Sequence, residues 1–146
     1  MIPHYFIACE VNAGFPTETD AQFQDALAFL ETLDLSALHV FSYSHRVEAA
    51  ASRLQAVYGA GELARRSAAL HELSDRKKQA FYARFIGKEA SVLWESDRQD
   101  GQMFGYTPNY LKVRHAFDEN KVNTVCTHTL GGLEKDAQKD WCFVAY

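Results

Sequence analysis

Apolar side chains recur along this chain with two different periods, and the change from one to the other divides it into three parts. Tyr5 to Ala13 is a mostly apolar run that stops at Gly14-Phe15-Pro16. Thr19 then offers a helix N-cap, with Gln22 three residues on at the spacing of a capping box. Phe23, Ala26, Leu27, Leu30 and Leu33 follow at three- and four-residue intervals, and Asp34 closes the run before a second apolar strand, Leu38-His39-Val40-Phe41. Strand, helix and strand over residues 1–46 describe a βαβ unit of a parallel sheet. Two parallel strands cannot make a sheet buried on both faces, so the unit reads as a piece of something larger.

Residues 47–87 read as a connector broken by Gly59 and Gly61, followed by a long helix from about Glu62 to Phe85. Leu63, Leu70, Leu73, Ala80 and Phe81 form its apolar stripe, and Gly87 is placed to end it in a left-handed conformation. From residue 88 the period becomes two. Short runs at Ala90–Trp94, Met103–Tyr106, Tyr110–Arg114, Val122–Thr127 and Trp141–Ala145 are each bounded by Gly, Asp, Asn or Pro clusters, and predict a small antiparallel five-stranded barrel over 88–146. The predicted fold class is therefore α+β. No internal repeat and no low-complexity tract interrupts this plan.

With 146 residues, 47% of them hydrophobic and 23% charged, the chain has the composition of a globular protein. Charged side chains interrupt every apolar stretch, which excludes a membrane span, and the opening residues lack the basic start and long apolar middle of a secretory signal. A cytoplasmic location is the expectation. Cys9, Cys126 and Cys142 are odd in number and far apart, fitting neither a disulfide framework nor paired metal-ligand spacing, so no metal site is predicted. The net charge of −4 conceals an asymmetry: between His45 and Lys88 nine basic residues face four acidic ones, a local excess of +5 against −9 elsewhere. Such a segment can attract phosphate locally, because charges are felt over a Debye length of about 8–10 Å.

Three stretches carry candidate chemistry. Gly14-Phe15-Pro16-Thr17-Glu18-Thr19 lies between a strand and a helix, where parallel α/β folds put ligands, although a tight turn with its cap explains the same residues. His39-Val40-Phe41-Ser42-Tyr43-Ser44-His45-Arg46 places polar side chains where the second strand would end. A free-standing active site on Tyr43, His45 and Arg46 would lack a matching nucleophile or carboxylate dyad, so no catalytic residue is assigned. Gly105-Tyr106-Thr107-Pro108-Asn109-Tyr110-Leu111-Lys112-Val113-Arg114 interleaves aromatic and basic residues, with Lys88, Trp94 and Arg98 nearby. Small barrels of this kind stack bases on aromatics while Lys and Arg neutralise phosphates; the rival reading makes the tyrosines half-buried strand residues and the charges a solvated face.

At these same stretches the sequence resembles the tRNA methylthiotransferases, a branch of the radical S-adenosylmethionine enzymes, and among them the type that modifies threonylcarbamoyladenosine. The family's Gly-Phe-Pro-x-Glu-Thr loop is matched by Gly14, Phe15, Pro16, Glu18 and Thr19, and its sixth barrel strand by His39-Val40-Phe41-Ser42-Tyr43-Ser44 with Arg46. A basic linker helix and a terminal RNA-binding TRAM barrel follow in the family, the latter matched at Gly105–Val113. The resemblance implies that 1–46 is the last part of a radical-SAM α/β barrel, 47–87 the linker, and 88–146 an OB-like TRAM barrel. It also implies Gly14, Phe15, Pro16, Phe41, Tyr43 and Arg46 as cofactor-pocket residues. Lys88, Trp94, Tyr106, Tyr110, Lys112 and Arg114 become tRNA contacts.

Family members hold two 4Fe–4S clusters, one through a Cys-x3-Cys-x2-Cys motif, and neither cysteine set is present here. The chain is thus expected to correspond to the last third of such an enzyme, inactive alone and binding no cofactor by itself, with S-adenosylmethionine and both clusters belonging to the full-length protein. Asn12 stands where the family has an aliphatic residue near the adenine, and Val47-Glu48-Ala49 replaces Pro-Gly-Thr after Arg46. The leading expectation is tRNA recognition in the service of methylthiolation. The alternative is a non-catalytic RNA-binding or self-associating fragment, joined to another chain through exposed barrel strands.

Overall fold

The computed structural model describes residues 4–46 and 48–146, which form two compact units, one spanning Ile7–Lys77 and the other Lys78–Tyr146 with the segment before Ile7. In the first unit, β1 (Ala8–Ala13) and β2 (Ala37–Ser42) pair in parallel from Ala8 opposite Ala37 to Ala13 opposite Ser42, joined by α1 (Asp20–Thr32). The capping box forms: the Gln22 amide donates to Thr19 Oγ1 at 3.3 Å, and the Thr19 amide donates to Gln22 Oε1 at 2.9 Å. The other end of α1 is met by a cation. Lys77 Nζ donates to the carbonyls of Glu31 and Leu33 at 3.1 and 2.7 Å, where the helix dipole favours positive charge.

Lys77 lies on α2 (Ala60–Ala83), the long helix, whose Leu70 and Leu73 join Ala13, Phe23, Leu30 and Leu38 in this unit's core. Ser74 on the same helix reaches the backbone of β2. Its hydroxyl accepts from the Leu38 amide and donates to the Leu38 carbonyl, both at 2.8 Å, satisfying strand groups that β1 does not reach. Val47, the first residue of the connector substitution, lies outside the described residues.

The second unit is a closed barrel of β3 (Glu89–Gln99), β4 (Gln102–Tyr106), β5 (Lys112–Ala116), β6 (Val125–Lys135) and β7 (Trp141–Ala145), in the order β3-β4-β5-β7-β6. All five expected strands are present, but the barrel is mixed rather than antiparallel, because β5 and β7 run parallel. The long strands explain this closure. β3 shifts register between Trp94 and Arg98 and β6 between Leu130 and Leu133, so each serves two neighbours in turn, and the last strand returns beside β5.

Phe81, Tyr82 and Phe85 join the barrel core with Val92, Trp94, Met103, Leu111, Val113, Leu130 and Phe143. The Tyr82 ring stacks on Phe143 at 5.5 Å. Gly105 sits opposite Trp94, and a Cβ there would lie 2.6 Å from the Leu93 carbonyl oxygen and 2.9 Å from the indole. Only glycine leaves that indole room. Gly87 is left-handed as expected, with φ of +76°, but it does not follow the helix directly. Phe81 and Phe85 are both held in the core, so further turns run past Ala83, and Gly87 instead feeds β3, its amide donating to Leu130 O at 2.7 Å.

Candidate cofactor cleft and candidate nucleic-acid interface

The first unit presents an open cleft of about 460 Å³ at the carboxyl ends of its two strands, lined by Asn12, Phe15, Phe41, Ser42, Tyr43, Ser44, Arg46 and Ala49. Four of the six residues expected at a cofactor, namely Phe15, Phe41, Tyr43 and Arg46, line it. Phe15 and Phe41 are about half exposed, and Phe15 meets the Tyr43 ring edge-on at 6.0 Å. Gly14 and Pro16 are buried and do not line the cleft. Asn12, the departure from the family pattern, lies on the wall itself.

The loop that carries Phe15 is clamped by residues that the motif reading did not single out. Tyr58 Oη donates to the Gly14 carbonyl, and the Val57 amide donates to the Pro16 carbonyl at 2.9 Å. Arg66 is 1% exposed, and its guanidinium donates to both the Glu18 carbonyl and the Glu18 carboxylate, at 2.9 and 2.8 Å. It also donates to Glu62 at 2.8 Å and lies over the Phe23 and Tyr58 rings. Arg65 pairs with Glu62 and Asp20. Hydrogen bonds from Arg65 and then Arg66 hold the Glu62 carboxyl down at about 2, well below its ordinary range.

On the barrel, Tyr106, Leu93 and Val125 form one outward-facing row across β4, β3 and β6, since Leu93 is in register with both others. With Tyr110, Pro108, Thr107 and Glu95 they line a groove of about 530 Å³. The Gly-Tyr-Thr-Pro-Asn-Tyr motif is the turn that builds it. Thr107 Oγ1 accepts from the Leu111 amide at 3.0 Å and donates to Asn109 Oδ1 at 2.7 Å, while Tyr110 takes a left-handed backbone with φ of +62° and stands 72% exposed. Tyr82 Oη donates to the Tyr110 carbonyl at 3.2 Å and accepts from the Lys112 amide at 3.0 Å, tying the turn to the core. An L-residue in that backbone region costs free energy, and such residues concentrate at functional sites. Partial burial pushes the Tyr106 hydroxyl above its usual range.

The charges distribute differently from expectation. Trp94 is fully buried in the barrel core and offers no face to a base, which removes it from the contact set. Lys112 is 8% exposed and pairs with buried Asp136 at 2.6 Å. Burial opposes ionisation of both, yet their mutual hydrogen bond keeps the Asp136 carboxyl below and the Lys112 ammonium above their usual ranges. Arg114 pairs with Glu134. Lys112 and Arg114 are therefore parts of the barrel frame, not free cations awaiting phosphate. Lys88 is exposed, its ammonium 5.3 Å from the centre of the Phe85 ring. The helix's excess is also engaged: Arg65, Arg66, Arg76 and Lys78 each meet a carboxylate, and Lys77 caps α1. The central +5 is largely neutralised by acidic partners from outside the segment, because those partners lie 45 to 62 residues away in sequence.

Among the described residues, no three His, Cys, Asp or Glu side chains converge to hold a metal ion, and no helix is long and apolar enough to cross a membrane. The cleft, with aromatic walls and polar Asn12, Ser42, Ser44 and Arg46, does fit a nucleoside-sized ligand bearing a carboxylate.

A parallel strand–helix–strand unit with an open cleft, together with a small closed five-stranded barrel bearing an aromatic groove, defines a two-part α+β protein whose barrel is OB-like. By sequence the chain is similar to curated threonylcarbamoyladenosine tRNA methylthiotransferases. It is 34% identical to that enzyme of Thermotoga maritima over 82% of its own length, 37% identical to the Aquifex aeolicus enzyme over 74%, and 34% identical to a probable one from Methanothermobacter thermautotrophicus over 77%. The chain spans about a quarter of the length of these relatives: 27%, 25% and 26% respectively. No family model matches it.

Proposed function

We propose that this chain is the carboxy-terminal part of a protein that adds a methylthio group to N6-threonylcarbamoyladenosine in tRNA. Its barrel binds the tRNA, and its cleft forms part of the S-adenosylmethionine pocket. The relatives' names support the reaction class. The observation that carries tRNA binding is the groove in which exposed Tyr110 and half-exposed Tyr106 flank Pro108, Leu93 and Val125. It offers a stacking surface for an unpaired base, an interaction worth roughly 1–3 kcal/mol per base.

In the cleft, Phe15 and Phe41 would sandwich or abut the purine, Tyr43 and the serines would reach its polar edges, and Arg46 would meet the carboxylate. When bound, S-adenosylmethionine and the clusters supply the radical and sulfur-transfer chemistry, and the cluster ligands come from other parts of the protein. With Lys112 and Arg114 in ion pairs, few phosphates are neutralised, so the salt dependence of binding is shallow. Filter binding of tRNA over a salt series tests this. The expected result is retention of tRNA with a log–log slope shallower than about −2, corresponding to roughly two phosphate contacts. Absence of retention at any salt concentration would overturn tRNA binding by this chain.

A further inference from the structure

We infer that Arg66 and Tyr58 are positioning residues for the cleft: they set the Gly14–Thr19 loop, and with it Phe15, in the geometry that a ligand meets. This rests on the cofactor reading of the cleft given above. The loop spans the turn from β1 to α1, and few of its backbone groups can bond to either element. Its carbonyls at Gly14, Pro16 and Glu18 go instead to the Tyr58 hydroxyl, the Val57 amide and the Arg66 guanidinium. Three consecutive alternate carbonyls are thus held from one side by two segments 40 or more residues downstream.

Arg66 does this from a buried position. A charge that is 1% exposed is tolerated only when its donors are matched, and here the planar fork meets the Glu18 carbonyl, the Glu18 carboxylate and Glu62, with the Phe23 and Tyr58 rings against its faces. Lysine has neither the fork nor the flat faces. Phe15, in the middle of this clamped loop, lines the cleft and meets Tyr43. Gly14 adds a second constraint: it has φ of +79°, and a Cβ there would lie 2.3 Å from Leu63 on α2, so the helix also fixes how closely the loop may approach. Releasing the clamp lets the loop sample other positions, and affinity falls by the fraction of time in which the competent one is lost.

Amide hydrogen exchange on this chain, read segment by segment, separates positioning from general stability. In Arg66→Lys and in Tyr58→Phe, exchange across residues 14–19 rises by about tenfold or more while protection in the middle of α1 and in the barrel strands stays at the wild-type level. Tyr58→Phe keeps the whole ion-pair network and serves if Arg66→Lys fails to fold. Equilibrium dialysis with S-adenosylmethionine, on the same proteins, is the second arm; both variants bind at least about fivefold more weakly than wild type. Unchanged exchange in the loop, or a rise shared equally by α1 and the barrel, overturns the inference. Absence of binding by the wild-type chain shows that this part does not hold the cofactor by itself, and the exchange arm then decides the positioning role alone.

Discussion

Burial of the Lys112 ammonium beside Asp136 is tolerable because each group finds the other at 2.6 Å, and because Asp136 also accepts the amides of Gln138 and Asp140, both at 2.9 Å. The pair staples the β6–β7 connection to β5. Removing one partner leaves an uncompensated buried charge, so Lys112→Met is expected to cost about 3–5 kcal/mol in urea unfolding followed by tryptophan fluorescence. Addition of Asp136→Leu should return part of that loss, whereas a surface cation would show neither effect. Tyr82 makes a second case at the same scale. Tyr82→Phe keeps the stack on Phe143 but strands the Lys112 amide and the Tyr110 carbonyl, and a loss of about 1–3 kcal/mol is expected in the same assay.

Beside the packing of Leu70 and Leu73 with Leu38, one hydroxyl ties α2 to β2, since Ser74 satisfies both backbone groups of Leu38. Ser74→Ala should cost about 1–3 kcal/mol in urea unfolding, and Ser74→Thr, which keeps the hydroxyl, should cost less. The ion-pair clamp on the Gly14–Thr19 loop carries a pH signature. The Glu62 carboxyl is held at about 2 instead of 4.5, so its contribution is fully present above about 4.5 and is lost as pH falls toward about 2. The stability difference between wild type and Arg66→Gln should therefore shrink as pH is lowered through that window, measured by urea midpoints at several pH values; a constant difference would contradict the clamp.

The elements were legible where neighbouring residues determine them. Thr19 and Gln22 are three apart, and each period-two run overlaps a barrel strand, although the run Val122–Thr127 meets β6 only at residues 125–127. Partners far apart in sequence were not legible. Glu62 and Arg66 at four-residue spacing hinted at a pair, but nothing in the sequence pointed Arg66 to Glu18 or Lys112 to Asp136, and four cations of the basic segment, Arg65, Arg66, Arg76 and Lys78, pair with carboxylates from outside it. Trp94 misled for a related reason. Strand alternation gives two faces, and only the barrel's closure decides which of them is inside.

At the scale of the molecule, the division into a βαβ-containing unit and a barrel matches the two jobs proposed for the chain, with α2 contributing residues to both. The barrel has its own titrating group. His128 is buried among Trp94 and His115, with Lys121 beside the latter, and burial first, then those charges, push its imidazole below the ordinary 6.5. The neutral ring is therefore favoured by folding. Barrel stability should be full above about pH 6.5 and decline as pH falls below it, and His128→Gln should flatten that decline in thermal unfolding between pH 7 and 5.

The barrel segment 88–146 is itself slightly acidic, with seven basic against nine acidic residues, so general charge attraction cannot account for RNA binding there. In the proposed function, recognition rests instead on stacking in the Tyr106–Tyr110 groove. The direct measurement is the affinity of this chain for tRNA, compared between wild type and the Tyr106→Ala, Tyr110→Ala double variant at fixed salt, with folding of both verified by circular dichroism. A loss of about 5-fold to 150-fold in the variant, at an unchanged salt slope, is the predicted result. Equal affinity of the two proteins, or a variant that differs only in salt slope, would contradict it.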